Sequence, residues 1–596
     1  MKKTVLWCCM TLPALGLAAE AADAPAAAPL AMPGTSAALA RPLVHDGYRL
    51  LELKAGPPAR NWRPAGGAPG CGAIPAVPAA TPGELAVVPL VKDRFFNKFF
   101  QGGGRLYRLV SQQKGVPQAV VLRSGTWTLP RLAERLAGEP GALQRKGQAY
   151  LLRLPLLVQA GAGVVVGKGE TLRLSKERGS FVLSLGSLFV SDGRLEGWDE
   201  TRGAISEVAA DGSVFQPFVV GWSGSQTVFR GSTVAGLGFA ENLAKGVTLA
   251  QGPLGLDGYD LPAPPRLLAQ DSRFEGMYSA IHATAIPDVR LCRNLFQASR
   301  LHAIHLDEGS SGLLLHNRVA DTWGPYGLYF NKDVRDVQVL ENVISENRRS
   351  GISITDSEDI VLAGNEIRQN FDAVFLQNTD RILFSDNHIL DNQRHGVTMR
   401  NVGRIRMQRD QIGPNRGVGV ITQTAGKPAG TMAGITEGAA AGAPSAAASP
   451  RATPAVPALP AISAAPATAG DAAPTVGAVR QVAFAPVRAA PARASTEQRL
   501  ELLGVVLEGN HSSAMVVDRP YTVLLDNVDV LYPGVRRRPV FRGVLNTFEA
   551  DILQRLTRRN ILLVEPTTSP RPGSSRSRSG SPSPRTVPQA DRTRQE

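Results

Sequence analysis

One short apolar phrase returns about every two dozen residues between Ser279 and Ile421, and this repetition restricts the fold more than any composition does. It reads Ser279-Ala-Ile-His-Ala-Thr, His302-Ala-Ile-His-Leu-Asp, Tyr326-Gly-Leu-Tyr-Phe-Asn, Ser350-Gly-Ile-Ser-Ile-Thr, Asp372-Ala-Val-Phe-Leu-Gln and His395-Gly-Val-Thr-Met-Arg. Its small residues Ala280, Ala303, Gly327, Gly351, Ala373 and Gly396 step by 23, 24, 24, 22 and 23 positions. A period held over six units marks a solenoid, in which each unit buries its apolar face only against its neighbours. After each phrase a second strand runs into an asparagine: Asn294, Asn317, Asn342, Asn365 and Asn387. Such residues stack at the inside of a turn, where their amides bond the backbone of the next coil. A leucine-rich repeat has a similar period but needs Leu-x-x-Leu-x-Leu, which is absent. The pattern predicts an all-β, right-handed parallel β-helix with small helical caps.

The rest of the chain reads as attachments to this array. Residues 1–22 carry Lys2 and Lys3 ahead of an apolar run and small residues, the pattern of a cleaved signal peptide. That run is too short to span a bilayer, so an exported protein without a membrane span is expected. Residues 23–86 read as an Ala/Pro-rich linker, 87–150 as an N-terminal cap and 151–422 as the β-helix. Residues 423–496 read as an Ala/Pro-rich disordered insert and 497–566 as terminal coils with a cap helix near Phe548–Arg559. Residues 567–596 form a basic Ser/Arg-rich tail with six arginines.

The formal net charge of +14 suits an acidic polymer, and export argues against nucleic acid. Cys8 and Cys9 would leave with the signal. Cys71 and Cys292 remain, and the repeat column shared with Leu315 and Leu340 favours a core thiol at Cys292 over a disulfide.

Strand alternation divides the phrase into two faces. Ile281, Ile304, Leu328, Ile352, Val374 and Val397 face the core. His282, His305, Tyr329, Ser353, Phe375 and Thr398 face outward, with Asp307, Asn331 and Arg400 beside them. At about 4.8 Å per coil, six coils span roughly 25 Å, enough for several sugars of an extended polymer. Tyr326, Tyr329 and Phe375 offer rings for sugar faces, while Lys332, Arg394, His395 and Arg400 offer charge to carboxylates. No nucleotide, flavin or metal motif is present, so no cofactor and no metal are expected.

From about Phe95 the sequence resembles the periplasmic mannuronan C-5-epimerases of bacterial alginate biosynthesis. The likeness is carried by Gln113-Lys-Gly-Val-Pro-Gln-Ala, Leu151-Leu-Arg-Leu-Pro-Leu, Leu174-Ser-Lys-Glu-Arg-Gly-Ser-Phe, Phe215-Gln-Pro-Phe, Asp271-Ser-Arg-Phe-Glu and Arg394-His-Gly-Val-Thr-Met-Arg-Asn. The resemblance implies a β-helix acting on an acidic polysaccharide, converting mannuronate to guluronate, with a periplasmic polymer-export complex as a further partner. The family's Asp-Pro-His-Asp motif falls on His305-Leu306-Asp307-Glu308, and its arginine one coil later falls on Lys332. Removal of the C5 proton needs a base beside a cation that neutralises the adjoining carboxylate. The residues assigned to this chemistry are His305 as base, Asp307 orienting it, Lys332 as cation and Tyr329 or water as returning acid. His282, Glu308, Tyr326, Asn331, Phe375, Arg394, His395 and Arg400 complete the expected groove. The rewritten motif leaves two other readings open: a silent scaffold that protects the polymer, and a lyase.

Overall fold

The computed structural model describes residues 42–53, 70–90, 112–113, 115–139, 141–251, 263–423, 498–531, 539–558 and 560–567. The proposed signal peptide, residues 424–497 and the basic tail after Thr567 therefore lie outside the described residues. So does Phe95–Val110, whose apolar clusters predict a helical patch within the N-terminal cap.

The described chain winds into a right-handed β-solenoid of about 13 turns. Three sheets line its walls. The phrase strands stack in sheet one, of 15 strands, where Ser279–Thr284, His302–Asp307, Tyr326–Asn331, Ser350–Thr355 and Asp372–Gln377 are consecutive parallel neighbours. Sheet two has 16 strands, including Val289–Cys292 and Gly312–Leu315, and sheet three has 15, of which Ala204–Ile205 lies off the main path. Along the body, coil pairs with coil in parallel, as the period requires; the short hairpin of Arg194–Asp199 with Ala204–Ile205 is antiparallel. Val, Ile and Leu from all three sheets meet in one buried cluster that extends from Tyr48 to Val564.

The corners explain the repeat. The residue before each expected asparagine has positive φ: Arg293 at 52°, His316 at 55°, Glu341 at 52°, Gly364 at 63° and Asp386 at 56°. One left-handed residue turns the chain sharply and delivers the next side chain into the interior of the bend. There Asn294, Asn317, Asn342, Asn365 and Asn387 stack. The Asn342 side-chain oxygen accepts from the N–H of Asn317 at 2.8 Å and from its Nδ2 at 3.0 Å, and the unit repeats along the column. The column ends on Asp410, whose Oδ1 accepts two bonds from Asn387 at 2.8 Å. Burial pushes the Asp410 carboxyl up to about 7. A second column, Asn347, Asn370, Asn392, Asn415 and Asn510, does the same work at another corner.

Three stretches depart from the sequence reading. Within the supposed linker, Leu43–His45 and Tyr48–Leu53 are strands, and the second pairs antiparallel with Ile561–Pro566 at the far end of the solenoid. Tyr48 and Leu50 alternate with exposed or half-exposed residues and are buried, a strand signal that the surrounding Ala/Pro bias outweighs. Leu151–Val158, whose apolar run predicts a single strand, divides in two: Ala149–Leu152 and Leu156–Val158 lie in sheets three and one, with Pro155 at the corner between them. The terminal helix is Glu549–Leu556, preceded by a 3-10 turn at Asn546–Phe548.

The solenoid keeps its register on either side of residues 424–497. Strand Val418–Gln423 pairs with Ser513–Val517, and Arg404–Gln408 pairs with Arg499–Leu503. The coil that follows residue 497 thus stacks directly on the coil that precedes residue 424.

Candidate active site on sheet one

Parallel stacking brings equivalent residues of the phrase into columns on the outer face of sheet one. His282, His305 and Tyr329 form a ring stack, with centroids 4.6 Å and 4.7 Å apart and planes inclined by 23° and 28°. His302 and Tyr326 stand alongside, their centroids 5.6 Å apart, and the His302 ring meets that of His305 edge-on at 5.3 Å. The spacing follows from the inter-strand distance.

The sequence reading placed these residues on an open strip, but His282, His302, His305 and Phe375 are buried, and His305 retains only 1% of its exposure. Stacked rings cover one another, which alternation along a single strand does not reveal. Tyr326 and Tyr329 stay half-buried.

Burial has an electrostatic consequence. Loss of hydration pushes His302 down to about 3, with Lys245 nearby adding to the effect. It holds His282 and His305 well below the ordinary imidazole value, with neighbouring histidines and lysines adding to it. All three imidazoles are therefore neutral at pH 7. Both ring nitrogens of His282 and of His305 are buried without a hydrogen-bond partner, as is Nδ1 of His302. These nitrogens are the donors and acceptors that a polar group brought to this face would bond.

Asp307 sits at the edge of this stack. Its Oδ2 lies 4.0 Å from His305 Nε2 and 3.8 Å from Lys332 Nζ, while Oδ1 accepts from Asn331 Nδ2 at 3.2 Å and from the Glu308 N–H at 3.2 Å. Glu308 and Lys332 are not on the strand face. Each follows a phrase strand at positive φ, 51° and 56°, so both project from the corner. Lys332 Nζ also lies 3.5 Å from Glu308 Oε1, and its side chain is 58% exposed. The expected catalytic quartet His305, Asp307, Lys332 and Tyr329 is thus gathered within two coils, with His282, Asn331, Glu308 and Tyr326 around it.

The remaining candidates lie further along the stack and are engaged in structure. Arg394 makes a bidentate ion pair with buried Asp372, with one arm at 2.8 Å, and covers the Phe371 ring at 4.9 Å. His395 Nδ1 accepts the Val418 N–H at 3.0 Å. Arg400 lies 5.7 Å over the Phe375 ring and donates to Gln423 at 3.2 Å.

Three residues escaped the sequence reading. His302 opens a phrase but was not assigned a role. Lys245 is 92% buried and its charge acts on His282, His302 and His305. It opens an earlier copy of the phrase, Lys245-Gly-Val-Thr-Leu-Ala, whose strand Gly246–Ala250 pairs with Ser279–Thr284. The step from Gly246 to Ala280 is longer than the period, which hid the copy. Trp323, half exposed, carries the Arg300 guanidinium 4.2 Å over its ring three residues before Tyr326.

Among the described residues, His282, His305 and Asp307 form the one group whose ligating atoms all lie within 4.8 Å of one another in the manner of a metal site. Two lysines act on the same imidazoles. That field opposes a cation and suits an anion.

The comparisons with known proteins agree with this architecture. Residues 279–429 match the family model of a right-handed β-helix region. The mannuronan C5-epimerase AlgG of Azotobacter vinelandii is 27% identical over 491 residues, covering 81% of this chain and 82% of its own. That of Pseudomonas putida is 27% identical over 343 residues, 57% of this chain and 66% of its own. The crystal structure of the periplasmic alginate epimerase AlgG superposes with a TM-score of 0.60 at 22% identity, over 76% of this chain and 94% of that one. By this likeness along most of its length, the chain is a homologue of the mannuronan C5-epimerases.

Proposed function

We propose that the protein is a polyuronate C5-epimerase that converts mannuronate to guluronate within an alginate-like polymer. The observation that carries this reading is the stack of neutral, unbonded imidazoles at His282 and His305, bordered by Lys245 on one side and Asp307–Lys332 on the other. A uronate needs both features at once, an unprotonated base for C5–H and positive charge for the carboxylate beside it.

In this reading His305 takes the proton and Asp307 stabilises the resulting imidazolium. A uronate carboxylate joins Lys332 at the corner in place of Glu308, so that the negative charge developing at C5 spreads into a neutralised group. Lysine provides this as a point charge rather than a fork. Tyr329 or water returns a proton to the opposite face of the sugar. Tyr326 and Trp323 supply ring surface along the polymer, whereas Phe375, expected in the groove, is buried and does not. The names of the homologues support the substrate class. We further assign the protein to the periplasm, by way of a cleaved signal at residues 1–22, with a polymer-export complex as its partner. The description of the solved relatives as periplasmic supports that assignment, and among the described residues no helix is long and apolar enough to cross a membrane.

One observation favours a second reading, a polymer-binding scaffold without turnover: Lys332 already faces two carboxylates, at 3.8 Å and 3.5 Å. Incubation with polymannuronate in deuterated water separates the possibilities. Deuterium at C5 with inversion is the expected result. New unsaturated chain ends would make the protein a lyase, and retention of polymer without exchange would make it a scaffold.

A further inference from the structure

Residues 42–53 and 85–89 belong to opposite ends of the solenoid. The first segment pairs with Ile561–Pro566 in the last coil and the second with Gln118–Leu122 in the first. The described part of the chain between them, residues 70–84, runs along the outside of sheet two from the coil of Cys292 to the first coil. Cys71 packs on the cluster of Cys292, Leu315 and Leu340. Ile74 follows on Val165, Phe189 and Val228, and Gly83 reaches the backbone of Ser124 and Gly125. The order of these contacts descends coil by coil, so the segment is a strap.

At its upper described end the strap is held by sulfur and guanidinium groups. Cys71 packs against the buried cluster to which Cys292 belongs. Arg293, fixed by Asp271 at 2.7 Å and 2.9 Å, donates from Nη1 to Cys71 Sγ at 3.4 Å. Gly72 lies so close to Arg290 that a Cβ there would stand 2.7 Å from its Nη1. Neither thiol is bonded to the other in this structure.

We propose that Cys71 and Cys292 are an oxidation site, closed to a disulfide by an oxidising thiol–disulfide partner, and that this bond fastens the strap to the middle of sheet two. The proposal is independent of the substrate and takes from the reading above only the oxidising compartment. Cys71 is half-exposed and Cys292 buried, which sets the order of events. The Cys71 thiolate attacks a disulfide of the partner, forming a mixed disulfide and expelling one partner thiolate. Cys292 then attacks Cys71 Sγ, and the second partner thiolate leaves with the Cys292 proton. Two protein thiols are oxidised and one partner disulfide is reduced to two thiols. The sequence reading weighed Cys292 as a core thiol; it occupies that column and also faces Cys71 across 221 residues of chain.

The test treats the reduced full-length chain with oxidised glutathione, blocks free thiols with N-ethylmaleimide in denaturant, and maps peptides, so that Cys8 and Cys9 are read separately. The expected product is one linked pair of peptides bearing Cys71 and Cys292, released by reductant. Full alkylation of both, or glutathione on Cys71 beside a free Cys292, would overturn the proposal. Oxidation should also raise the thermal midpoint by on the order of 3 °C, a difference that Cys71→Ser abolishes. Equal midpoints for the oxidised and reduced wild-type chain would remove the fastening role.

Discussion

Two ladders run up this solenoid, and they treat polar atoms in opposite ways. In the asparagine column at the corner, each side-chain oxygen accepts two bonds from the coil before it, and each amide finds a carbonyl, as Asn365 Nδ2 does with Val339 at 2.8 Å. In the imidazole stack on sheet one, the four ring nitrogens of His282 and His305 find nothing. Both columns are buried and both repeat at the inter-strand spacing. The first is what a chain does with polar groups for stability. The second carries an unbalanced cost that stability alone would remove, and such costs concentrate where a ligand or a reaction supplies the missing partners.

This contrast is open to attack at three points. His305→Phe keeps a ring in the stack and deletes both orphan nitrogens, so the fold should be as stable as the wild type or more so, while C5 exchange falls by roughly 100-fold or more. Exchange rate and urea midpoint, measured on one preparation, check both halves; unchanged exchange would remove His305 as base. Asn342→Ala breaks the satisfied ladder and strands the N–H and amide of Asn317. It should lower stability by about 3 kcal/mol in urea unfolding, through lost bonds and a small cavity. A loss under roughly 0.5 kcal/mol would mean that the column follows the fold rather than supports it.

The smallest effect is the linkage to pH. For His282, His302 and His305 the folded value lies below the unfolded 6.5. The unfolded chain therefore binds more protons below about pH 6.5, and stability is lost as pH falls, by up to about 1.4 kcal/mol per unit for each ring. Asp410 opposes this: its folded value of about 7 lies above the unfolded 3.8, so its share of stability is lost as pH rises between them. Unfolding near pH 5 should thus take up about two protons net from these four groups. His305→Phe should reduce that uptake by about one, as read from urea unfolding across pH 4.5–6.5.

The sequence made the solenoid legible because a strand period of two and a coil period near 23 leave few other solutions. The faces of the phrase, the first asparagine column and the gathering of His305 with Asp307 followed from those two periods. What the periods do not encode is what lies over a face. Alternation says that Phe375 points outward, but its cover comes from neighbours in other coils. Lys245 was hidden because residues 251–262 stretch the spacing between its phrase and the next. The strand Tyr48–Leu53 carries alternation of its own, yet its partner lies some 500 residues away, at Ile561–Pro566, beyond the reach of any local pattern.

The unbroken register across residues 424–497 has a practical meaning. The corner after Gln423 admits a long piece of chain while the coils on either side keep their pairing from Arg404↔Arg499 to Ile421↔Val516. The entropic cost of a loop grows only with the logarithm of its length. That corner is therefore a splice port: a reporter domain or a second carbohydrate-binding module placed there should travel with the solenoid, at the edge of sheet one, without disturbing a single stacked coil.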